Sequence, residues 1–286
     1  MRRAMMGGSP LLIVTGAAGG IGHACARLLG HVHPLLLTDR AGSGVEELAA
    51  ALVDEGYLSV DALSGDLTDE ALLDRLASSV GERPFLLVHC AGLSPSLADW
   101  RRIMQVNLVA SEMLLRQMER VIRPGSVAVL VSSGAGYRAS PTAERALPAD
   151  PLAPDFLDRV GEAIAAEAGE QSGAAEGLSY ALSKRGVHLL AERRALAWGR
   201  QGARIVSVSP TLTLTAMGRS EIAATPAAQA FVDSAPLGRM GTPADVAMLV
   251  EFLVSDRARF ITGCDIRVDG GAVALTRHGH GPEEKE

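Results

Sequence analysis

The sequence predicts an α/β fold, one doubly wound parallel sheet with helices on both faces. Three observations carry this. Short apolar runs that read as strands alternate with amphipathic runs that read as helices. The first strand, a glycine-rich stretch and a helical pattern follow one another directly, as Leu11–Val14, Thr15–Gly22 and Ile21–Leu29. The composition, 48% hydrophobic with only 3% aromatic residues, suits strands rich in Val, Leu and Ile and buried on both faces.

Taken in order, Leu11–Thr15 is strand one and Pro34–Thr38 is strand two, ending at Asp39. Val45–Glu55 is helical, and Gly56 stops it. Leu58–Leu63 is a weak strand ending near Asp66, and Asp69–Val80 carries Leu and Ala at helical spacing. Phe85–His89 is a continuous apolar run between Pro84 and Gly92, which reads as a buried strand. Asp99–Val121 is one long amphipathic helix, and Val127–Val131 is another buried strand. Ala139–Asp155, with four prolines, is irregular; Phe156–Gly169 is an amphipathic helix and Glu170–Gly177 is small and polar. Leu178–Gly199 is a long helix and Ile205–Val208 a strand. Thr215–Phe231 is helical with a break at Pro226, and Ala244–Leu253 is a helix that Thr242-Pro243 starts. Ile266–Val268 is the last strand, before Asp269-Gly270-Gly271.

The 286 residues suffice for one domain, 1–286, with polar tails expected at 1–9 and 278–286. A net charge of −6 gives no electrostatic support for a nucleic-acid partner. No apolar run approaches the ~20 residues of a membrane span, and no signal-peptide core is visible, so a cytoplasmic protein without a membrane partner is expected. Cys25, Cys90 and Cys264 are far apart in apolar stretches, as buried reduced thiols are. The His31/His33 and His278/His280 pairs lack partners at ligand spacing, so no metal is expected.

Several residues carry chemistry. A strand, a glycine turn and a helix N-terminus in succession form an anion site, with Gly16, Gly20 and Gly22 permitting close approach of a pyrophosphate. Tyr180 and Lys184 stand four residues apart on one helical face. A tyrosine with an ordinary pKa of about 10 needs about 4 kcal/mol of help to act as a base near pH 7, and a neighbouring cation favours the phenolate. Ser132 and Ser133 close a buried strand, where a hydroxyl faces the ligand crevice of a doubly wound sheet or simply ends the strand. Asn107 sits among apolar residues and needs a partner; it is either structural or holds a water near Lys184. Asp39 ends strand two, where a carboxylate accepts hydrogen bonds from ribose hydroxyls and repels a 2′-phosphate. Arg40 is the neighbouring residue able to turn toward such a phosphate.

These motifs, in this order, resemble the short-chain dehydrogenase/reductase family over roughly Leu11 to Ala274. Thr15–Gly22 matches the family's Thr-Gly-x-x-x-Gly-x-Gly. Asn107, Ser133, Tyr180 and Lys184 match its catalytic tetrad; Ser133 is chosen over Ser132 because the family's serine is typically second of such a pair. Asp66-Leu67 matches the pair at the adenine, and Thr215-Ala-Met217 the segment that closes over the nicotinamide carboxamide and phosphates. The resemblance implies a single-domain Rossmann fold, NAD as cofactor, and a small, apolar alcohol or ketone substrate in a homodimer or homotetramer. It gives Tyr180 the proton transfer, Ser133 the carbonyl oxygen, Lys184 the ribose hydroxyls and Asn107 a proton path to solvent. It places the cofactor against Thr15, Gly16, Gly20, Ile21, Gly22, Asp39, Arg40, Asp66 and Leu67. It continues along Cys90, Ala91 and Gly92 and along Pro210, Thr211, Leu212, Thr213, Thr215 and Met217.

The chain departs from the common pattern in three places. His89-Cys90-Ala91-Gly92 stands where Asn-Asn-Ala-Gly is usual, and Pro210-Thr211 replaces Pro-Gly. The distance from Ser133 to Tyr180 is long, so much of about 138–175 is an insertion before the Tyr helix. Cys90 and the insertion resemble the bacterial 3α-hydroxysteroid dehydrogenase/carbonyl reductase branch. Phe156, Leu157, Val160, Ile164 and Ala165 form a stripe that must be buried. The segment is expected to act as a lid over the substrate, to obstruct a helix-packing surface used for assembly, or to do neither. A carbon–carbon double-bond reductase or dehydratase, and a dinucleotide sensor with little turnover, are the competing readings. The complete Ser-Tyr-Lys set argues against both.

Overall fold

The computed structural model describes residues 8–278 apart from 41, 43, 58, 148, 149, 170, 172, 225–229 and 231. Seven strands are present among the described residues: β1 (Leu11–Thr15), β2 (Leu35–Asp39), β3 (Val60–Ser64), β4 (Phe85–His89), β5 (Val127–Val131), β6 (Arg204–Pro210) and β7 (Asp265–Val268). All pair in parallel in the order β3-β2-β1-β4-β5-β6-β7. The chain runs outward one way from β1 and the other way from β4. The crevice beyond the carboxyl ends of β1 and β4 is therefore the switch point where such sheets take ligands.

The strands alternate their side chains between two cores. Leu12, Val14, Leu35, Leu37, Leu86 and Val88 pack with α1 (Gly20–Leu29), α2 (Val45–Asp54) and α10 (Pro243–Val254). Leu11, Ile13, Leu36, Phe85 and Leu87 pack on the opposite face with α3 (Glu70–Val80), α5 (Ala110–Glu119), α7 (Phe156–Ala168) and α8 (Ala174–Arg200). No helix among the described residues is long and apolar enough to cross a membrane.

Four expectations need correction. The helix read over Asp99–Val121 is α4 (Trp100–Met104), a π-helical turn Gln105–Val109, and α5. The Ala110 amide reaches back five residues to Gln105, and the Asn107 carbonyl accepts from the Ser111 hydroxyl instead. Second, α8 begins at Ala174, ahead of Leu178; a Cβ on Gly177 would meet open space, so no close approach requires the glycine, and its cost of about 1 kcal/mol is small against a 27-residue helix. Third, His278 closes α11 (Ala272–His278) and is not in a tail; Asp269 caps the start of this helix by accepting from the Gly271 and Val273 amides. Residues 1–7 and 279–286 lie outside the described residues, as does the break at Pro226 beyond α9 (Ala216–Ala224).

The fourth correction concerns the insertion. After the 3₁₀ turn Gly134–Arg138 comes α6 (Pro141–Glu144), capped by Ser140, and then α7. Phe156, Val160 and Ile164 are buried, Leu157 half-buried, and Ala165 exposed, so the stripe is narrower than expected. α7 packs on α8, α4 and α6. Its Gly161 seats the Trp100 ring, where a Cβ would come within 2.7 Å of the indole.

Candidate active site

A cavity of about 940 Å³ opens beyond the carboxyl ends of the strands. Its first wall is the glycine turn. Gly16 has φ +64°, and a Cβ there would stand 2.7 Å from the Ala91 amide nitrogen. A Cβ on Gly22 would reach 2.2 Å from the Gly16 carbonyl oxygen, so both glycines let this loop fold against Cys90–Ala91. Gly20 faces Thr215, whose methyl would lie 2.6 Å from an added Cβ. No side chain caps α1, whose leading residues Gly20 and Ile21 line the cavity. α2, α7 and α8 also lack a side-chain cap, but of these four helices α1 is the one whose start lines the cavity, so its leading amides are available to an anion there.

Asp39 lines the next stretch, with Oδ2 accepting from the Ala18 amide at 2.9 Å and Oδ1 from the Arg40 amide at 2.7 Å. The exposed Arg40 lines the cavity beside it. Asp66 accepts from Thr68 and pairs with Arg102, a cavity residue the sequence reading missed; Leu67 and Gly65 complete this end.

Thr15 and Asn107 do not line the cavity; they hold the loops that do. The Ala91 amide donates to Thr15 Oγ1 at 3.3 Å, and Thr15 Oγ1 meets His89 Nδ1 at 2.7 Å. On the other side of the ring, His89 Nε2 meets Ser111 Oγ at 2.7 Å, and Ser111 donates to the Asn107 carbonyl. One neutral tautomer satisfies the whole chain: Nδ1 accepts from Thr15, and Nε2–H donates to Ser111. Burial first, and the Lys184 cation second, push His89 down to about 3, which keeps it neutral. His89 therefore takes the place of an asparagine as a two-sided strut between β1 and the π turn. Asn107 clamps the next loop, with Oδ1 accepting from the Leu93 amide at 2.7 Å and Nδ2 donating to the Leu93 carbonyl at 3.0 Å and to Ser183 Oγ at 3.1 Å. These bonds make Asn107 a clamp on the loop after Gly92.

Ser132, Ser133, Tyr180 and Lys184 all line the cavity, next to Cys90, Ala91 and Gly92. Ser132 is buried and donates to the Lys184 carbonyl at 2.8 Å. Ser133 is half-buried, and its Oγ caps the 3₁₀ turn by accepting from the Ala135 amide, so its proton remains for a ligand. Lys184 is buried; Nζ donates to the Val131 carbonyl at 3.2 Å and lies 5.8 Å from the Tyr180 ring centroid. Burial lowers Lys184 to about 8, which leaves it mostly cationic at pH 7. A cation beside a phenol favours its ionised form. All three cysteines are free; Cys25 is buried, whereas Cys90 and Cys264 are half-buried, which corrects the expectation for those two.

The far wall comes from β6, α9 and α11. Pro210 ends β6; Thr211, Leu212, Thr213, Thr215 and Met217 follow along the cavity. The Thr211 methyl lies where a Cβ on Gly134 would stand, at 2.5 Å, so Gly134 makes room for the side chain that replaces the usual glycine. Tyr137, Arg138, Leu93, Leu97, Val273, Thr276 and Arg277 finish the wall, and sequence reasoning found none of them. The position of Tyr137 and Arg138 just after Ser133 is a signal that could have found them, but no signal marked α11. No described residue of 139–175 lines the cavity, so the insertion forms no lid in this structure.

A doubly wound sheet with an uncapped glycine turn, a carboxylate at the end of β2 and a Ser–Tyr–Lys group at one cavity defines a dinucleotide-binding α/β protein with acid–base equipment. Comparison with known proteins agrees with that geometry. The family profile described as "short chain dehydrogenase" matches residues 10–144, and that described as "Enoyl-(Acyl carrier protein) reductase" matches residues 158–273. Residues 145–157, between them, fall in the insertion. The chain is 30% identical to cis-4-hydroxycyclohexanecarboxylate dehydrogenase of Sinomonas cyclohexanicum, over 92% of this chain and 96% of that one. It is 27% identical to 3-alpha-hydroxysteroid dehydrogenase/carbonyl reductase of Comamonas testosteroni, over 93% and 98%. The structure of the 3-alpha-hydroxysteroid dehydrogenase from Pseudomonas sp. B-0831 complexed with NADH superposes with a TM-score of 0.72 at 28% identity, covering 94% and 99%. The protein belongs to the short-chain dehydrogenase/reductase family.

Proposed function

We propose that the protein is an NAD(H)-dependent oxidoreductase that interconverts a secondary alcohol and a ketone. The observation that carries this is the convergence of Ser133, Tyr180 and Lys184 on the cavity that the glycine turn opens into. The nicotinamide, when bound, supplies or accepts the hydride. The uncapped amides of α1 suit its pyrophosphate, and Asp39 suits ribose hydroxyls better than a 2′-phosphate. Tyr180 gives its phenol proton to the carbonyl oxygen in reduction and takes it back in oxidation. Ser133 donates a hydrogen bond to the same oxygen, and Lys184 holds the phenol in the range where both directions run. Asn107 acts by holding Leu93 and the π turn in place.

Leu93, Leu97, Val106, Met217 and Val273 give the substrate side an apolar lining. Together with relatives named for a hydroxycyclohexanecarboxylate and a hydroxysteroid, this supports a substrate with an apolar, alicyclic body. The test is NADH absorbance with a panel of apolar ketones, and NAD reduction with the matching alcohols. Turnover with at least one cyclic secondary alcohol or ketone is expected. A folded, NADH-binding protein that turns over none of them contradicts the reading.

A further inference from the structure

The β5–β7 side of the cavity carries two arginines that form no ion pair among the described residues. Arg138 ends the 3₁₀ turn that begins just after Ser133, and Arg277 lies in the last turn of α11; both line the cavity and both are exposed. Neither pairs with a carboxylate among the described residues, whereas Arg102 at the opposite end is neutralised by Asp66. The acids near them are already engaged. Asp265 accepts from Tyr137 at 2.7 Å, from Ser207 at 2.6 Å and from Ser209 at 3.0 Å, and Asp269 caps α11.

Tyr137 aims this charge. Its hydroxyl is fixed to Asp265, and the Arg277 guanidinium lies over its ring, 5.0 Å from the centroid. A second guanidinium, of Arg267, lies 5.6 Å from the same centroid but outside the cavity lining. A guanidinium held by its face on an aromatic ring keeps its N–H edge free, and that edge fits a carboxylate in two parallel hydrogen bonds. Two cations stacked on one ring repel each other, and an anion at the cavity edge of Arg277 relieves that repulsion.

We propose that Arg277 and Arg138 bind the carboxylate of an anionic substrate, so that the protein acts on a hydroxy acid or keto acid. The apolar body spans Leu93 and Val273, the reacting carbon sits at Ser133 and Tyr180, and the carboxylate reaches the arginines. This rests on the alcohol–ketone reading and adds the charge of the substrate to it. Two arginines at an open wall can supply roughly 10-fold to 100-fold discrimination, with part of it lost to screening by salt.

The test compares the keto acids levulinate and para-acetylbenzoate with their methyl esters, using NADH. The acid is expected to exceed its ester in kcat/KM by about 10-fold or more at low ionic strength. The ratio should fall toward about 1 in Arg138→Gln/Arg277→Gln and shrink with added salt. Arg277→Lys should keep part of the ratio, because a point charge replaces a two-pronged donor. Esters reduced as well as acids by the unsubstituted protein, or an acid preference that survives the double substitution, overturn the proposal and leave the alcohol–ketone reading standing. If no ketone is reduced, that reading fails, and calorimetry of the NADH complex decides the present one. Benzoate binding about 10-fold tighter than benzamide, with the difference abolished by the double substitution, supports the anion site. Equal binding of the two overturns it.

Discussion

On the β1–β4 side the cavity wall is backbone held from behind by side chains, whereas on the β5–β7 side it is side chains held by other side chains. Thr15, His89, Ser111 and Asn107 form the first support, and none of Thr15, His89 or Asn107 reaches the cavity. The glycine turn they hold has no room for a Cβ at Gly16 or Gly22. The second wall rests on Tyr137, pinned to Asp265, with Arg277 stacked upon it. Gly134 has exchanged space with Thr211 there. The first construction tolerates few substitutions and suits a ligand that does not change. The second can vary one residue at a time and suits the partner that sets specificity.

Lys184 stands where the two walls meet, and it gives the largest expected effect. Its folded pKa of about 8 lies below the unfolded value near 10.5, so burying its charge costs roughly 3 kcal/mol below pH 8. That cost fades as pH rises toward 10.5, where the unfolded lysine also loses its proton. Lys184→Met should therefore raise the stability of the ligand-free protein by a few kcal/mol at pH 7, with no gain near pH 10.5, while slowing turnover. Urea titrations at the two pH values check this; destabilisation at both would make the lysine a structural element of the wall.

Asp39 tests the constant wall directly. NAD(H) should exceed NADP(H) by about 100-fold in kcat/KM, roughly 2.7 kcal/mol. Asp39→Ala should narrow the gap, and comparable values for the unsubstituted protein would contradict the assignment.

A smaller effect concerns acid. His89 is held at about 3 and His188 at about 4, each lowered chiefly by burial. Between those values and the unfolded value near 6.5 the unfolded chain binds more protons, so stability falls as pH drops below 6.5. The loss is about 1.4 kcal/mol per pH unit for each histidine. His89→Asn should remove its own share, about 1.4 kcal/mol per pH unit, from the slope in melts from pH 6.5 to 4.5; an unchanged slope would mean that His89 is not the strut described.

The smallest kinetic effect is expected from the insertion. Replacing Thr142–Ala175 with a short Gly-Ser linker should leave kcat/KM within about twofold, because none of its described residues lines the cavity. Removal of α7 uncovers α4 and α8 around Trp100, so light scattering should report a larger assembly. Altered kinetics would restore a lid, and an unchanged mass would remove the obstruction idea.

The constant wall was legible in the sequence and the variable one was not, for a physical reason. Gly16, Gly22, Asp39 and the Tyr180–Lys184 spacing are fixed by backbone geometry and helix period, which a single chain displays. Arg277 depends on a short helix after Gly270-Gly271, and its meaning depends on stacking over a residue 140 positions away. The π turn was equally hidden, because one extra residue in an amphipathic run leaves the apolar pattern readable as a single helix. The burial of α7 was foreseeable from Phe156, Val160 and Ile164, but its distance from the cavity was not.

The most direct test of the account is Tyr180→Phe, with kcat and NADH affinity measured on the same preparation. The ring keeps its packing and loses the proton that the mechanism transfers. The account predicts a fall in kcat of ~10²–10⁴-fold with the NADH dissociation constant little changed. Near-normal turnover in that variant would contradict it.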